Sequence, residues 1–286
     1  MLSYQHIYHA GGPADVHKHA ALSLLLERLA AKAKPFSVID LYAGEGRYDL
    51  TAEAAQKTKE YAHGVGRLWP MSDHPPALQR YFDVLNDLNA DGALRTYPGS
   101  PEVIRAFMRA EDHLTLNELH PAAYRTLRHW RADDSRISIH KRNGLEALVG
   151  LVPPAIRRGL VFIDPSYEVK SEYADIAAKI ARATAKWPQG IYALWYPILT
   201  EGRHRTMIES ASTQVDASIF KTEIMLTRPK DGNADGPVGL LGSGLLIFNP
   251  PWQFDIAMSE VGLWLAKTLT DGDGRHTSGW LKRTKD

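Results

Sequence analysis

The sequence predicts an α/β protein built on a Rossmann-like, doubly wound sheet of about seven mostly parallel strands. Three observations carry the prediction. Short apolar runs alternate with helix-period segments along most of the chain, the pattern of repeated strand–helix units. The run Val161-Phe162-Ile163 has no polar face, so it reads as a strand buried on both sides, and it stops at Asp164-Pro165. A glycine pair, Gly44 and Gly46, follows the first strand, where such sheets turn tightly around a nucleoside.

The elements follow in order. Tyr4, His6, His9, Lys18 and His19 crowd a polar opening segment, with Gly11-Gly12-Pro13 as its turn. Asp15 reads as the cap of a helix whose Leu22, Leu25, Leu26 and Leu29 share one apolar face. The histidines read either as a solvated lead-in or as part of a site; a zinc site lacks regular spacing and a carboxylate partner. Phe36 to Leu41 is the first strand. Residues 50–97 read as a helical subdomain inserted after it, divided by Pro70 and Pro75-Pro76, with its own small core and no strand. Ser100 caps the next helix, with Pro101 in its first turn. His113 to Leu119 is the second strand and Pro121 to Trp130 a helix. Arg136 to His140 is the third strand, followed by Asn143-Gly144 and a helix from Leu145 to Leu151.

The central strand comes fourth. After it, Ser171 to Ala185 is helical, and Ile191 to Tyr196 is a fifth strand closed by Pro197. A helix from Glu201 to Ser212 precedes a strand at Ala217 to Leu226, a Gly- and Asp-rich loop at Pro229 to Gly242, and a last strand at Leu245 to Phe248. The last two strands read as an antiparallel pair. Phe254 to Leu269 is a closing helix, and the tail to Asp286 reads as polar and loose. All 286 residues are thus one domain.

Composition narrows the function. The chain has no cysteine, which removes disulfides, thiolate zinc sites and cysteine nucleophiles, and suits the cytoplasm. No apolar run is long enough to span a membrane, and Met1 to His6 lacks the basic-then-apolar order of a secretory signal. The net charge of +1 neither demands nor forbids a nucleic-acid partner. Arg47, Arg67, Arg125, Arg128 and Arg131 are candidates for phosphate contacts.

Site residues follow from the fold. Asp164 ends a central strand, where open α/β sheets bind their ligands. Gly44 belongs to the nucleoside turn, and Glu118 ends the second strand, where an acid takes ribose hydroxyls. The gap between them is far wider than usual, and the inserted helices account for the excess. Asn143 and Gly144 lie where an adenine ring would rest beside that ribose. Asn249-Pro250-Pro251-Trp252 mimics the Asp164 loop but follows the complete set of strands, so Asp164 is preferred.

The string Asp164-Pro165-Ser166-Tyr167 resembles the catalytic loop of methyltransferases that act on exocyclic amines of adenine or cytosine, with Ser166 replacing a second proline. More of the chain resembles one family, the RlmJ-type 23S rRNA adenine-N6-methyltransferases. The likeness runs through Met1-Leu2-Ser3-Tyr4, His6, His9-Ala10-Gly11, Ala14-Asp15-Val16, Lys18-His19, Ala43-Gly44 and Gly46-Arg47-Tyr48. It continues through Tyr97-Pro98-Gly99-Ser100-Pro101, Glu118-Leu119-His120-Pro121, Ile163-Asp164-Pro165, Ala193-Leu194-Trp195-Tyr196-Pro197 and Asn249-Pro250-Pro251-Trp252.

The resemblance implies a class I methyltransferase fold and S-adenosylmethionine as donor. The implied acceptor is an adenine N6 in 23S rRNA, adenine 2030 in the family's enzyme name, in free rRNA or an assembling large subunit. The proposed chemistry requires no metal, and a monomer is expected. By position it implies cofactor contacts at His19, Tyr42, Ser100, Glu118, Asn143, Gly144 and Asp164, and RNA contacts at Tyr4, His6 and Lys18. The family often has His at Tyr42 and Asp at Asn143. Asp164 and the Pro165 carbonyl are the expected acceptors of the amine hydrogens, and Tyr167 the expected stacking ring. Three other readings stay open: a DNA adenine methyltransferase, a non-catalytic nucleic-acid-binding protein for DNA uptake or use, and a nicotinamide dehydrogenase. The last leaves Asp164 to Tyr167 unexplained.

Overall fold

The computed structural model describes residues 4–69, 71–131, 133–168, 172–226 and 240–284. A single 3-10 turn, His6–Tyr8, precedes α1 (Pro13–Ala30) and β1 (Ser37–Asp40). Then come β2 (Arg47–Asp49), α2 (Glu53–Thr58), α3 (Glu60–His63), α4 (Val65–Leu68), α5 (Gln79–Leu88) and β3 (Thr96–Pro98). The middle of the chain is α6 (Ser100–Phe107), β4 (His113–Asn117), α7 (Pro121–Arg131), β5 (Ile137–His140), α8 (Gly144–Leu151) and β6 (Gly159–Ile163). The remainder is α9 (Glu172–Lys186), β7 (Ile191–Leu199), α10 (Arg203–Gln214), β8 (Ile219–Met225), β9 (Leu240–Phe248), α11 (Phe254–Leu269) and β10 (Arg275–Lys282).

Eight strands form one sheet in the order β10-β8-β9-β7-β6-β1-β4-β5. From β5 to β7 every pair is parallel, and β9 inserts antiparallel between β7 and β8. The sequence predicts seven strands; the eighth is β10, which pairs antiparallel with β8 in the tail read as loose. Polar residues sustain this strand because the backbone ladder carries it, while Trp280 meets Phe220 edge-on at 5.6 Å and His276 bonds Thr222 at 2.9 Å.

Alternation along the strands divides the core. Val38, Leu114, Leu160 and Phe162 pack toward α1, α6 and α11, whereas Ile39, Val161, Ile163 and Leu194 pack toward α8, α9 and α10. Register then sets the site. Asp40 lies level with Leu116 on one side and Phe162 on the other. Two residues further on, the three neighbouring strands deliver Tyr42, Glu118 and Asp164 to one edge of the sheet.

Several local expectations change. The segment between β1 and α6 is helical, but β2 and β3 pair across it, Arg47 with Pro98 through Asp49 with Thr96. Leu68, Leu78, Tyr81, Phe82 and Leu85 join the same apolar cluster as α1 rather than forming a core of their own. Helix α1 is buried on all sides from Asp15 to Leu26, because it lies between the sheet and helices α5, α6 and α11. Gly12 and Gly99, not Asp15 and Ser100, hold the cap positions; both predicted caps sit inside their helices and turn their side chains elsewhere. Pro197 lies within β7, since the pairing with β6 ends at Leu194 and its missing N–H interrupts no ladder on that side. Met1 to Ser3, Pro70, Ser171, most of the loop at 229–242 and the last two residues lie outside the described residues. No helix among the described residues is long and apolar enough to cross a membrane.

Candidate active site

A cavity opens at the carboxyl ends of β1, β4 and β6. Its wall includes Tyr42, Gly44, Ser100, Glu118, Asn143 and Gly144 on one side, with Tyr4, His6, Lys18, His19, Asp164 and Pro165 completing it. Apart from Tyr167, every residue singled out in the sequence as catalytic, cofactor-binding or substrate-binding borders this one space.

The glycine turn is built for close approach. Gly44 has φ +61°, and a Cβ there would stand 2.1 Å from the Tyr48 hydroxyl oxygen. Glu118 ties this turn to β4: Oε2 accepts the Gly44 N–H at 2.9 Å and Oε1 accepts the His120 N–H at 2.7 Å. Each oxygen keeps a lone pair for a ligand hydroxyl, and burial raises this carboxyl above its usual range. On the neighbouring wall, a Cβ at Gly144 would meet the Tyr42 ring at 2.5 Å. Asn143 caps α8, its side-chain oxygen accepting the Glu146 N–H at 3.2 Å.

Beneath the turn lies Asp40, fully buried, which receives the Ser100 hydroxyl at 2.7 Å and the Tyr42 N–H at 3.3 Å. Burial pushes its carboxyl up to about 7, although both hydrogen bonds favour the anion. Ser100 is therefore held by an acid that the sequence reading passed over. His19 is held from behind by the Tyr97 hydroxyl at 2.9 Å, and burial drives its imidazole down to about 3, so it is neutral.

The opposite wall is a chain of charged contacts. The Lys18 ammonium donates to Asp164 Oδ2 at 2.5 Å and to Asp15 Oδ1 at 2.7 Å. His6 Nε2 meets Asp15 Oδ2 at 2.9 Å, and the Tyr4 hydroxyl bonds His6 Nδ1 at 2.7 Å. Burial works against the charge on Lys18, but the two carboxylates outweigh it and lift the amine above its ordinary value. Burial likewise opposes ionisation of Asp15, and His6 and Lys18 overcome it, holding this acid well below the usual carboxylate range. The ammonium also lies 5.3 Å from the Trp195 ring centroid.

Tyr167 is not brought to the cavity. It is buried with φ +55°, donates its hydroxyl to the Trp195 carbonyl at 2.7 Å, and packs 4.3 Å from the Tyr173 ring. The decoy string lies elsewhere: Asn249 bonds the carbonyls of Pro188 and Gly190, just before β7, at the opposite edge of the sheet from Asp164. Among the candidate phosphate ligands, Arg47 pairs with Glu102, Arg67 pairs with Asp271, and Arg131 donates to the Ile137 carbonyl. Arg125 and Arg128 are exposed on α7 with no ion pair among the described residues.

Sequence reasoning missed Asp15, Asp40, Tyr48 and Trp195. Asp15 was legible in one respect, standing three residues before Lys18 and so one helical turn away.

A parallel sheet whose final core strand slips antiparallel between the fifth and sixth, with an acid at a strand end bonded to a glycine turn, defines a Rossmann-like class I methyltransferase. The chain belongs to the family described as ribosomal RNA large subunit methyltransferase D, RlmJ, whose model matches residues 33–282. It is 40% identical over 282 residues to the Escherichia coli ribosomal RNA large subunit methyltransferase J, covering 98% of this chain and 99% of that one. The Haemophilus influenzae protein of the same name is 37% identical over 283 residues, with 98% and 99% covered. A crystal structure of a Legionella pneumophila protein superimposes with a TM-score of 0.85 at 31% identity, covering 95% of this chain and 98% of that one.

Proposed function

We propose that the chain transfers a methyl group from S-adenosylmethionine to the exocyclic N6 of one adenine in 23S ribosomal RNA. Membership of the family over residues 33–282 carries the reading, and the Asp164 carboxylate on the cavity wall supports its chemistry. The residues suit the donor: a turn with no room for side chains, a half-buried acid with lone pairs to spare, and a flat wall at Asn143-Gly144. Tyr42, Gly44, Ser100, Glu118, Asn143, Gly144 and His19 would hold it. When bound it would supply an electrophilic methyl carbon, its sulfur keeping the pair of the broken sulfur–carbon bond and leaving as a neutral thioether.

An adenine amine is a weak nucleophile because its lone pair is shared with the ring. In the proposed pose Asp164 accepts one amine hydrogen and the Pro165 carbonyl accepts the other. That geometry turns the lone pair out of the ring system and aims it at the methyl carbon. Lys18 holds one oxygen of Asp164, leaving Oδ1 without a partner among the described residues. As the nitrogen–carbon bond forms, the amine becomes cationic, and Asp164 is the nearest base to take its proton. Tyr4, His6 and Lys18 meet the flipped nucleotide, whereas Tyr167 serves by pinning the loop that carries Asp164 and Pro165. Ser166 leaves the Pro165 carbonyl in place, so the altered string remains competent.

The test is methyl transfer from labelled S-adenosylmethionine to 23S rRNA transcript and to DNA of the same sequence. It is paired with mass spectrometry of rRNA from cells with and without the protein. RNA-dependent incorporation at an adenine N6 is expected. Incorporation into DNA alone, or none into either, would overturn the proposal.

A further inference from the structure

We infer that Asp15 is a positioning residue for methyl transfer, its buried carboxylate fixing His6 and Lys18 so that the Lys18 ammonium is presented to Asp164. The inference rests on the role proposed above for Asp164.

Asp15 is the third residue of α1 and 3% exposed. It does not border the cavity, so it reaches the substrate only through the two side chains it holds, both of which do. Its carboxylate is committed on both oxygens. Oδ2 accepts the Gly11 N–H and the His6 Nε2, each at 2.9 Å, and Oδ1 accepts Lys18 at 2.7 Å. An acid serving only its helix end needs the first of these bonds and gains nothing from burial. The other two join segments that touch the reaction centre.

Charge gives the arrangement its purpose. Lys18 bridges two carboxylates, one on its own helix and one at the end of β6. A lone ammonium beside Asp164 would be free to swing toward any incoming phosphate, since a lysine stem has four rotatable bonds. Asp15 removes that freedom from one side, and the Trp195 ring lies beside the ammonium on another. The titratable groups facing the Asp15–Lys18 pair besides Asp164 include Tyr4, His6, His9, His19, Tyr48, Tyr81 and Tyr97. None of these supplies a second anion at neutral pH, and the ion pairs of Lys18 among the described residues are with Asp15 and Asp164.

The test compares wild type with Asp15→Asn and Asp15→Glu. Single-turnover methyl transfer to 23S rRNA is followed across pH, with S-adenosylmethionine binding by calorimetry and folding by thermal melting. Asp15→Asn is expected to bind the cofactor within about threefold of wild type and to transfer about 100-fold more slowly, as misplaced catalytic groups do. With one counter-anion gone, Lys18 loses its proton at lower pH, so the Asn variant slows further on the alkaline side while wild type stays level. Asp15→Glu, which keeps the anion, is expected to keep the level alkaline side. A wild-type rate in Asp15→Asn overturns the inference. So does a loss in both variants that tracks unfolding with an unchanged pH profile, because that is a structural role. A wild type that transfers no methyl group at all overturns the proposed function instead, whatever the variants do.

Discussion

Lys18 meets Asp164 at 2.5 Å across 146 residues of chain, and neither side chain is more than 14% exposed. The two partners are not equivalent, since Lys18 also holds Asp15. Removing Asp164 leaves the ammonium one carboxylate, whereas removing Lys18 leaves Asp164 without its cation and Asp15 with His6 alone. Asp164→Ala is therefore expected to abolish methyl transfer while cofactor binding stays measurable. Lys18→Met is expected to abolish transfer too and to lower the melting temperature more. Near-normal turnover by Asp164→Ala, or a melting order the other way round, would contradict this account.

Glu118 borders the cavity while anchoring the glycine turn, and in the proposed function it holds the cofactor. Glu118→Gln keeps the shape and removes the charge. A hydrogen bond to a charged acceptor is worth about 1.5–3 kcal/mol, so cofactor affinity should fall about 10- to 100-fold by calorimetry. An unchanged affinity would remove Glu118 from the cofactor site.

Gly44→Ala forces a Cβ to 2.1 Å from the Tyr48 hydroxyl and keeps an unfavourable φ of +61°. The expected destabilisation is about 1–3 kcal/mol, with weaker cofactor binding. Tyr48→Phe removes the oxygen in the way but not the backbone strain. The double variant should then recover part, not all, of the loss in a denaturant titration.

Tyr167→Phe removes one hydrogen bond to the Trp195 carbonyl and leaves the ring packed. A cost of about 1 kcal/mol and a mild loss of rate are expected. Tyr167→Ala empties the space beside Tyr173 and should cost about 3–5 kcal/mol, with methyl transfer largely lost as the Asp164 loop loosens. Equal rates in the two variants would show that the ring does not hold the loop.

Stability should depend on pH through buried groups. Burial takes His17 and His19 down to about 3 and Asp40 up to about 7. Below about pH 6.5 the unfolded chain protonates the histidines and the folded chain does not, so their contribution is full above that pH and lost toward acid. Each contributes a slope of up to about 1.4 kcal/mol per pH unit. Asp40 acts in the other sense, because its unfolded form ionises near pH 4 and its folded form later, so stability falls as pH rises between the two. Two histidines outweigh one carboxyl. The urea midpoint should drop from about pH 6.5 to about 4.5, and His17→Asn should drop less steeply. A level midpoint would refute the assignment.

Much of this site could be read from the residues because it depends on strand ends. Asp164 after an apolar run, Glu118 after its neighbour and Gly44 after the first strand each carry a local signal, and parallel register then aligns them without further information. Asp40 carries no such mark, because its partner Ser100 lies 60 residues further along the chain, and Asp15 reads as a cap although its partners Gly11, His6 and Lys18 are all close in sequence. Ser100 and Asp15 both look like caps in sequence, but Gly99 and Gly12 take those positions, leaving Ser100 on the cavity wall and Asp15 to hold His6 and Lys18. Tyr167 was misleading for a related reason. Its place in the string suggests a ring facing the base, and its left-handed backbone turns the ring into the core instead. The eighth strand was hidden because β10 is held by its ladder and a few aromatic contacts rather than by an apolar pattern.

Helix α1 is translated first and completed last. Lys18 waits for Asp164, and His17 bonds Ser243, 226 residues downstream. A helix with no face suited to water has to be shielded while β9 and α11 are still being made. The wall of the cavity that carries Lys18 therefore gains its full packing only once β9 and α11 are in place.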